Sequence, residues 1–322
     1  MEQALSKYLN EFRKLRVDRS HGGVAPHKPI LLISVLQAYQ QGVLKDRFIP
    51  VLPELVALFQ SNWNILVNTP FECRFALPFY HLSSSSFWKL LPKPGYEQFL
   101  RSRSSMSSFK SLESVIEAAF INEDLLALFM HTETNIALQQ ILLDTYFPNT
   151  KWSYAPAIAD YEGVLSGLEQ KILHESPEAY KHEIMVLIAQ KNEEEIFLRG
   201  SVFKREIPKL YQSSCCISHM RIDTVSNISM IDACHIVPFS ESYDDTISNG
   251  IALCPNLHRA FDRGLISIDD NYKVLVKSAF KENLDSSYLI RHFQGAQILL
   301  PALASNYPSL ENLAKHRNRF GF

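Results

Sequence analysis

The sequence predicts an α+β protein of two domains, the first mainly helical with a few strands and the second a mixture of short strands and helices. Its 322 residues are about twice the length of a typical domain. Apolar residues recur at helical spacing through most of the first half of the chain. Towards the C-terminus they form short runs between turn residues, which is typical of brief strands and loops.

Helical periodicity predicts most elements of the first domain. In residues 4–16, leucine, tyrosine and phenylalanine side chains recur every three or four positions and share one face. Between Cys73 and Leu91, prolines, aromatic residues and four consecutive serines predict short strands and loops instead. The predicted helices cover residues 4–16, 28–41, 53–67, 111–120, 122–130 and 133–146.

The middle of the chain separates the two domains. Residues 147–166 contain two prolines and little periodicity, which makes them the best linker candidate. The acidic segment 168–199 predicts one long helix, or two helices broken near Pro177. We therefore expect domains at residues 1–150 and 201–322, joined by a linker and acidic helical region at 151–200.

Charge is unevenly distributed along the chain. The whole sequence carries 32 Lys and Arg against 34 Asp and Glu, a net charge of −2, which excludes a wholly basic, histone-like protein. Residues 1–110 nevertheless carry 14 basic and 7 acidic residues, residues 111–200 carry 5 and 15, and residues 201–322 carry 13 and 12. The basic first third fits a surface that binds a polyanion, and uneven solvation of an ordinary surface explains it equally well.

The composition indicates a globular protein of the cytosol. Hydrophobic residues make up 46% and charged residues 20%, so the chain is not disordered. The five cysteines are odd in number, unlike the paired cysteines of a secreted disulfide scaffold. No apolar leader opens the sequence, and its longest apolar run falls short of the ~20 residues that a membrane span needs. We therefore expect a cytoplasmic protein with no membrane partner.

The most informative stretch lies between residues 211 and 269. It contains DACHIVPF with His235, and then SNGIALCPNLHRAFDRGLISID with Asn249 and His258. The three residues are spaced by 14 and then 9 positions. The pattern predicts a short strand before His235, a turn at Asn249-Gly250, a helix over residues 256–261 and a further strand after it.

This order of residues resembles the HNH endonuclease motif of the ββα-metal nucleases, over about residues 205–280. The resemblance implies a ββα-metal hairpin and helix that hydrolyse phosphodiester bonds with a divalent metal, Mg²⁺ or Mn²⁺. It makes His235 the general base, because a neutral imidazole takes a proton from water near neutral pH. It makes Asn249 the residue that orients His235, and His258 a metal ligand. Taken singly, each histidine would be read as an ordinary core or surface residue.

A second metal ligand is less clearly indicated. Many HNH sites carry an acidic ligand directly before the first histidine, where this chain has Cys234. Asp232 lies two residues earlier on the same face of the strand, and we expect it to be a ligand or a partner of one. Asp262 follows His258 by one helical turn. It is either a further ligand or a helix-terminal hydrogen-bonding group near Arg263, and we favour the second interpretation.

We expect no structural zinc site. Many HNH domains hold zinc with two CxxC pairs, whereas this chain has CCISH from Cys215 to His219 and CPNLH from Cys254 to His258. Leu257 stands where a second cysteine would be, so a complete set of four zinc ligands is not present, and the cysteines are more simply explained as small core residues. A zinc ion held by Cys216, His219 and Cys254 is the alternative.

Two N-terminal segments resemble the sulfur-binding domain of phosphorothioate-dependent type IV restriction endonucleases. They are GGVAPHKPILLISVL at residues 22–36 and RFALPFYHLSSSSFWKLLP at residues 74–92, within a resemblance that covers about residues 1–150. The resemblance implies that this domain reads DNA in which sulfur replaces a non-bridging phosphate oxygen. An apolar cup would favour the weakly hydrated sulfur, while cations would hold the backbone.

The resemblance also assigns candidate contacts. The cup would be formed by Leu77, Pro78, Phe79 and Tyr80, although some family members have tyrosine where this chain has Leu77. Each cation is alternatively an ordinary solvated charge, and a structural turn at Pro78 is nearly as good an explanation as a sulfur contact. The candidate contacts to DNA phosphates or bases are Arg16, Arg19, His27, Lys28, Arg74, His81 and Lys89.

The leading hypothesis is a modification-dependent DNA endonuclease that recognises phosphorothioate double-stranded DNA and cuts it at a metal-assisted HNH site. A second hypothesis keeps the nuclease and gives it a modified-base reader or a general DNA reader. A third is a non-catalytic DNA-binding protein with an idle nuclease fold. Because one HNH site cuts one strand, a homodimer would be needed for a double-strand break.

Overall fold

The computed structural model describes residues 1–19, 23–101, 106, 108–154, 160–222, 229–283, 285–286 and 288–322. The chain divides into two compact units, Met1–Ser166 and Gly167–Phe322. Residues 155–159 of the predicted linker lie outside the described residues. Within the described part of the chain, every helix is too short or too polar to cross a membrane.

The first unit combines helices with one small sheet. Its elements are α1 (Glu2–Arg13), α2 (His27–Gln40), β1 (Phe48–Pro50), α3 (Pro53–Leu66), α4 (Ala76–His81), β2 (Trp88–Pro92), α5 (Glu97–Arg101), α6 (Phe109–Val115), β3 (Ile116–Ile121), α7 (Glu123–Met130) and α8 (Thr132–Tyr146). The helices predicted at 4–16, 28–41, 53–67, 122–130 and 133–146 are confirmed within a few residues.

Helix α2 is the centre of this unit. Every residue from Pro29 to Tyr39 is buried, because α3, α4, α7 and α8 pack around it. This explains why the sequence of α2 is apolar on all sides rather than on one face. Pro29 fits because the first turn of a helix has no intrahelical acceptor for its N–H groups.

Two predictions in this unit are wrong. Residues 116–121, which we expected to complete a helix, form β3, the central strand of an antiparallel sheet of order β1-β3-β2. The helix-forming residues Glu117 and Ala118 adopt the extended form because pairing with strands on both edges outweighs local propensity. Residues 76–81, expected as strand or loop, form helix α4, in which Pro78 occupies the tolerant first turn.

The second unit begins with helices and continues into short hairpins. Its elements are α9 (Tyr161–His174, which crosses the division between the units), α10 (Pro177–Ala189), α11 (Glu193–Leu210), β4 (Asp232–His235), α12 (Phe239–Ser242), β5 (Gly250–Leu253), α13 (Pro255–Asp262), β6 (Ile266–Ile268), β7 (Val274–Val276) and α14 (Leu310–Phe320). The acidic segment therefore contains three helices. Ser201, where we expected the second domain to begin, lies inside α11.

Strands β4 and β5 with helix α13 form the expected ββα arrangement. The strands are antiparallel, with Asp232 opposite Leu253 and His235 opposite Gly250. The turn predicted at Asn249-Gly250 lies slightly earlier, since a single 3₁₀ turn covers Ile247–Asn249 and Gly250 opens β5 with an extended backbone. Gly250 is needed for a different reason: a Cβ there would lie 2.9 Å from the ring of Phe203, so glycine lets α11 pack directly on the hairpin.

Candidate nuclease and DNA-reading sites

His235 ends strand β4 and is held on two sides. Its ring stacks on Phe203 with centroids 4.0 Å apart and planes 11° from parallel. Its Nε2 lies 2.8 Å from Oδ1 of Asp245. The His235 side chain remains 24% exposed, so solvent reaches the ring. The Asp245 side chain behind it is only 2% exposed. The arrangement fixes the ring while leaving one edge open.

Asp245 is a site residue that sequence reasoning missed. Its second oxygen, Oδ2, accepts a hydrogen bond of 3.2 Å from the hydroxyl of Tyr180, which lies on α10. The pair Asp244-Asp245 is visible in the sequence between His235 and Asn249, and an acidic residue near a general base is a signal that could have been used. Tyr180 carries no comparable signal, because it lies 65 residues from Asp245 in the sequence.

Asn249 organises the loop that follows His235. It is fully buried, and its Oδ1 accepts from the N–H of Val237 at 2.9 Å. Its Nδ2 donates to the carbonyl oxygens of Val237 and Asp244, each at 2.9 Å, and also lies 3.3 Å from Oγ of Ser242. Asn249 therefore ties together the two ends of the loop that follows His235, from Val237 to Asp244, and acts on the backbone rather than on the ring.

His258 lies between two carboxylates. It occupies the first turn of α13, and its Nδ1 is 3.1 Å from Oδ2 of Asp232 on β4. Its Nε2 is 3.5 Å from Oδ2 of Asp262, one turn further along the same helix. The structure thus brings together the two residues that we selected as ligands, and adds Asp262. The side chains of Asp232 and Asp262 are about half exposed, which leaves their remaining oxygens accessible.

The donor set of this cluster fits a hard divalent cation. Two carboxylates and one imidazole suit Mg²⁺ or Mn²⁺. Cys234 also lies nearby, since its Sγ and donor atoms of His258 and Asp262 are all within 4.8 Å of one another. Burial and the neighbouring carboxylates raise the pKa of the Cys234 thiol. As a soft sulfur donor, Cys234 suits a hard cation less well than the carboxylates do. Asp232, His258 and Asp262 are therefore the candidate ligands.

The cysteines arrange themselves differently from the zinc alternative that we considered. Cys254 is hydrogen-bonded to Cys215 rather than to Cys216. This hydrogen bond lowers the pKa of the Cys215 thiol. Ser218 stands beside both: its N–H donates to Sγ of Cys215 at 3.4 Å, and its Oγ is 3.8 Å from Sγ of Cys254. Cys216 is fully buried, and burial raises the pKa of its thiol.

A groove of about 300 Å³ opens beside the loop that follows His235. Ile236, Val237 and Pro238 line one side, and Lys315 and Arg319 of α14 line the other. The position places two cations next to the nuclease loop. Arg319 forms an ion pair of 2.5 Å with Glu241, and Lys315 one of 2.7 Å with Glu311, in each case at exposed or half-exposed side chains.

In the first unit, Lys28 is the centre of the candidate reading site. Its Nζ donates to the carbonyl oxygen of Arg16 at 2.8 Å and to Oγ of Ser84 at 3.2 Å. Burial lowers the pKa of Lys28, and the positive charge of Arg16 lowers it further. Burial and the charge of Lys28 also lower the pKa of His81. Lys28, Arg16 and His81 therefore form one cluster, in which an added anion would be stabilised.

His27 and Arg74 lie on the other side of the start of α2. The Nε2 of His27 bonds to the carbonyl oxygen of Glu72 at 2.9 Å, and its ring packs against Trp63 at 4.7 Å. Burial lowers the pKa of His27, which favours the neutral ring. Arg74 pairs with the carboxylate of Glu72 at 2.8 Å. These contacts anchor the loop before α4 to the first turn of α2.

The predicted sulfur cup is a helical turn rather than an extended segment. Leu77 and Pro78 precede His81 by four and three residues in α4, so they lie on its face of the helix. Leu77 is partly exposed, and Pro78 is buried. Phe79 has no exposed surface and packs against Phe75 and Trp88, so it supports the turn from inside.

The remaining candidates vary in their distance from this cluster. Tyr80 packs its ring against His81 at 5.3 Å, and so adjoins the cluster. Arg19 is exposed, and its charge lowers the pKa of Tyr146, which places Arg19 near that phenol. Lys89 is exposed on β2, with Nζ 5.8 Å from the ring centroid of Phe120. In the described part of the chain, no hydrogen bond or ion pair joins Lys89 to Lys28.

Two family models match separate parts of the chain. Residues 5–153 match the ScoMcrA-like DNA sulfur-binding domain, and residues 215–269 match the HNH endonuclease family. The expected resemblance to both families is thereby confirmed. Comparison with curated proteins finds no match.

Three solved structures are similar to the chain. The sulfur-binding domain of SprMcrA complexed with phosphorothioated DNA is 15% identical, with a TM-score of 0.35, over 49% of this chain and 96% of that one. The type IV phosphorothioation-dependent restriction endonuclease ScoMcrA is 12% identical, with a TM-score of 0.34, over 78% and 93%. The modification-dependent TagI restriction endonuclease is 19% identical, with a TM-score of 0.28, over 37% of this chain and 38% of TagI.

Proposed function

We propose that this chain, which joins a ScoMcrA-like DNA sulfur-binding domain to an HNH endonuclease domain, is an endonuclease that cuts phosphorothioate-modified double-stranded DNA. The observation that carries the proposal is the ββα arrangement, in which His235 and His258 flank one hairpin and Asn249 holds the loop beside it. The match of residues 5–153 to a DNA sulfur-binding domain supports phosphorothioate-modified DNA as the substrate. A DNA substrate is consistent with action in the cytoplasm.

His235 is the proposed general base. An ionised carboxylate only accepts hydrogen bonds, so with Asp245 as partner the Nε2 of His235 carries the ring proton and Nδ1 is the basic nitrogen. Nδ1 takes a proton from water as the water oxygen bonds to phosphorus. The bond from phosphorus to the leaving sugar oxygen then breaks. Asn249 keeps His235 in place by holding the loop that directly follows it, through the backbone of Val237 and Asp244.

Asp232, His258 and Asp262 are the residues proposed to hold a divalent cation. Such a cation, Mg²⁺ or Mn²⁺, would supply positive charge beside the phosphate as charge develops on the leaving oxygen. The three side chains project from the strand and the helix of the ββα unit, and those of Asp232 and Asp262 already lie within hydrogen-bonding or ion-pairing distance of His258.

The cluster of Arg16, Lys28 and His81 is the proposed site for the modified phosphate. A phosphorothioate keeps its negative charge, which the part-buried Lys28 would balance, since it contacts only neutral oxygens in the described part of the chain. The partly exposed Leu77, on the same face as His81, would offer apolar surface to the sulfur, and the buried Pro78 would support that turn from beneath. Discrimination would arise because sulfur loses less hydration than oxygen on entering apolar surroundings.

The test is a cleavage assay on matched duplexes with and without one phosphorothioate, in the presence of Mg²⁺ or Mn²⁺ and of EDTA. We expect cutting of the sulfur-bearing duplex alone, and loss of cutting in His235→Ala and in EDTA. Equal cutting of both duplexes would discard the sulfur reader and leave a nuclease with another reader. Sulfur-selective binding with no cutting under any of the metal conditions would favour a non-catalytic binder.

A double-strand break requires two such active sites, so we propose that two copies of the chain act together on one duplex. Sedimentation of the protein alone and with a phosphorothioate duplex tests this. A complex that contains two chains per duplex is the expected result, and one chain per duplex with nicking of a single strand would contradict it.

A further inference from the structure

We propose that Asp245 and Tyr180 are positioning residues for His235, so that the helical region before the ββα unit takes part in setting up its active site. The inference rests on the proposed nuclease function and goes beyond it, because it makes two further residues responsible for holding the general base in its active tautomer. Neither residue belongs to the His-Asn-His set that defines the motif.

The contacts form a continuous path from helix α10 to the general base. The hydroxyl of Tyr180 donates to Oδ2 of Asp245 at 3.2 Å, and Oδ1 of the same carboxylate faces Nε2 of His235 at 2.8 Å. Both oxygens are thus used. Tyr180 has no exposed surface and Asp245 almost none, so water does not compete for these bonds.

The second side of the His235 ring is fixed by helix α11. Phe203 stacks on the ring. Gly250, which pairs with His235 across the hairpin, has no side chain that would push Phe203 away. The Tyr180 ring is held in turn by Arg199 of α11, whose guanidinium carbon lies 5.1 Å from the ring centroid and whose Nη2 pairs with Glu183 at 2.6 Å. Two helices outside the ββα unit therefore fix both the plane and the rotation of the imidazole.

This arrangement has a chemical consequence. With Nε2 tied to Asp245, the imidazole is presented with its proton on Nε2 and its lone pair on Nδ1. When Nδ1 takes the proton of the attacking water, the ring becomes a cation, and the Asp245 carboxylate stabilises that charge without itself taking the proton. Tyr180 keeps the carboxylate aligned by holding the oxygen that His235 does not use. Removal of either partner should slow the chemical step without weakening DNA binding.

The tautomer of His235 gives a test that does not depend on activity. In protein labelled with ¹⁵N-histidine, the signals of His235 are assigned by their loss in His235→Gln. We expect wild-type His235 to carry its proton on Nε2, and Asp245→Asn to shift the population towards Nδ1–H. A wild-type ring with its proton on Nδ1 would overturn the proposal. If the protein cuts no DNA at all, the proposed function fails while this measurement still decides the positioning role.

Kinetics provide the second readout. At saturating protein, we expect Asp245→Asn to lower the single-turnover cleavage rate about 100-fold, and Tyr180→Phe about fivefold, with the Kd for DNA unchanged. Tyr272→Phe is the matched control, because Tyr272 also donates its hydroxyl in this unit, to the carbonyl oxygen of Pro308 at 3.1 Å. Tyr180→Phe keeps the test decisive if Asp245→Asn does not fold. Wild-type rates in both variants, or equal losses in the control, would overturn the proposal.

Discussion

At the scale of single residues, Gly264 shows how one position joins two elements of the nuclease unit. It follows α13 with a φ of +64°, and a Cβ there would overlap the ring of Phe320 at the end of α14. Gly321 has a similar φ of +68° but open space around it. Substitution of Gly321 therefore measures the cost of backbone strain alone, and substitution of Gly264 measures that cost together with the cost of overpacking.

We expect Gly264→Ala to lower the free energy of unfolding by about 2–5 kcal/mol, because left-handed strain of ~1–2 kcal/mol adds to an overpacking cost of ~1–3 kcal/mol. Gly321→Ala should cost only about 1–2 kcal/mol, since it meets the strain alone. Denaturant unfolding of both variants beside the wild type measures the difference. Equal losses would show that Phe320 moves aside at no cost.

His316 is a second residue with a measurable signature. Its ring stacks on Phe261 at 3.7 Å, Nε2 bonds to the carbonyl oxygen of Phe261 and Nδ1 faces Oγ of Ser267 at 2.8 Å. Both nitrogens are thus used by the neutral ring. Burial lowers the pKa of His316 to about 4.

The depressed pKa of His316 predicts a loss of stability in mild acid. Between pH 6.5 and pH 4 the unfolded chain binds a proton that the folded ring refuses, so stability is full above this window and falls as the pH drops through it. From pH 7.5 to pH 5 the loss should be about 2 kcal/mol. Denaturation of wild type and His316→Gln at both pH values tests this, and an equal pH dependence in the two proteins would contradict it.

At the scale of elements, the sequence predicted helices better than it predicted where strands interrupt them. Helix α2 was evident because its apolar run is long enough to define a buried helix. Strand β3 was not, because Glu117, Ala118 and Ala119 favour a helix locally, and only the two neighbouring strands make the extended form stable. Helix α4 is not evident from the sequence because the prolines, aromatic residues and serines between Cys73 and Leu91 together indicate strands and loops, although a proline in the first turn is compatible with a helix.

Helix α14 is the element whose role in DNA binding is easiest to measure. Lys315 and Arg319 line the groove beside the loop after His235. If both contact phosphates, the variant Lys315→Gln/Arg319→Gln should reduce the slope of log K against log salt by about 1–2, since each phosphate contact contributes ~0.9. Binding of duplex DNA across a salt series measures it. Lys281→Gln, at an exposed position elsewhere in the unit, should leave the slope unchanged, and an equal change there would remove α14 from the interface.

At the scale of the whole molecule, the sequence predicts the residues of the candidate active site but not the side chains that surround them. His235, Asn249 and His258 are found through the resemblance of residues 211–269 to the HNH motif, because a short hairpin and one helix hold all three residues within one continuous stretch of sequence. Tyr180 could not be found in this way, since its contact with Asp245 depends on how α10 packs. In the first unit, Lys28 and His81 were both named as DNA contacts, but their meeting follows only from the packing of α2 on α4.

The division into two compact units predicts that reading and cutting can be separated by mutation. Lys28→Met removes the central cation of the reading cluster and should weaken binding of a phosphorothioate duplex about tenfold, as expected for one charged hydrogen bond. His235→Ala should bind that duplex normally and cut nothing. Lys45→Gln, at an exposed position in the first unit, serves as the control for lost charge.

The decisive quantity for the whole molecule is the single-turnover rate of Lys28→Met at saturating protein. If the first unit only delivers DNA, this rate should equal that of the wild type, because full occupancy compensates for weaker binding. A rate that stays low at saturation would mean instead that contact with the modified phosphate also activates the nuclease unit. In that case, two single-turnover rates at saturation should be equally low: that of the wild type on unmodified DNA and that of Lys28→Met on modified DNA. The same assay measures both.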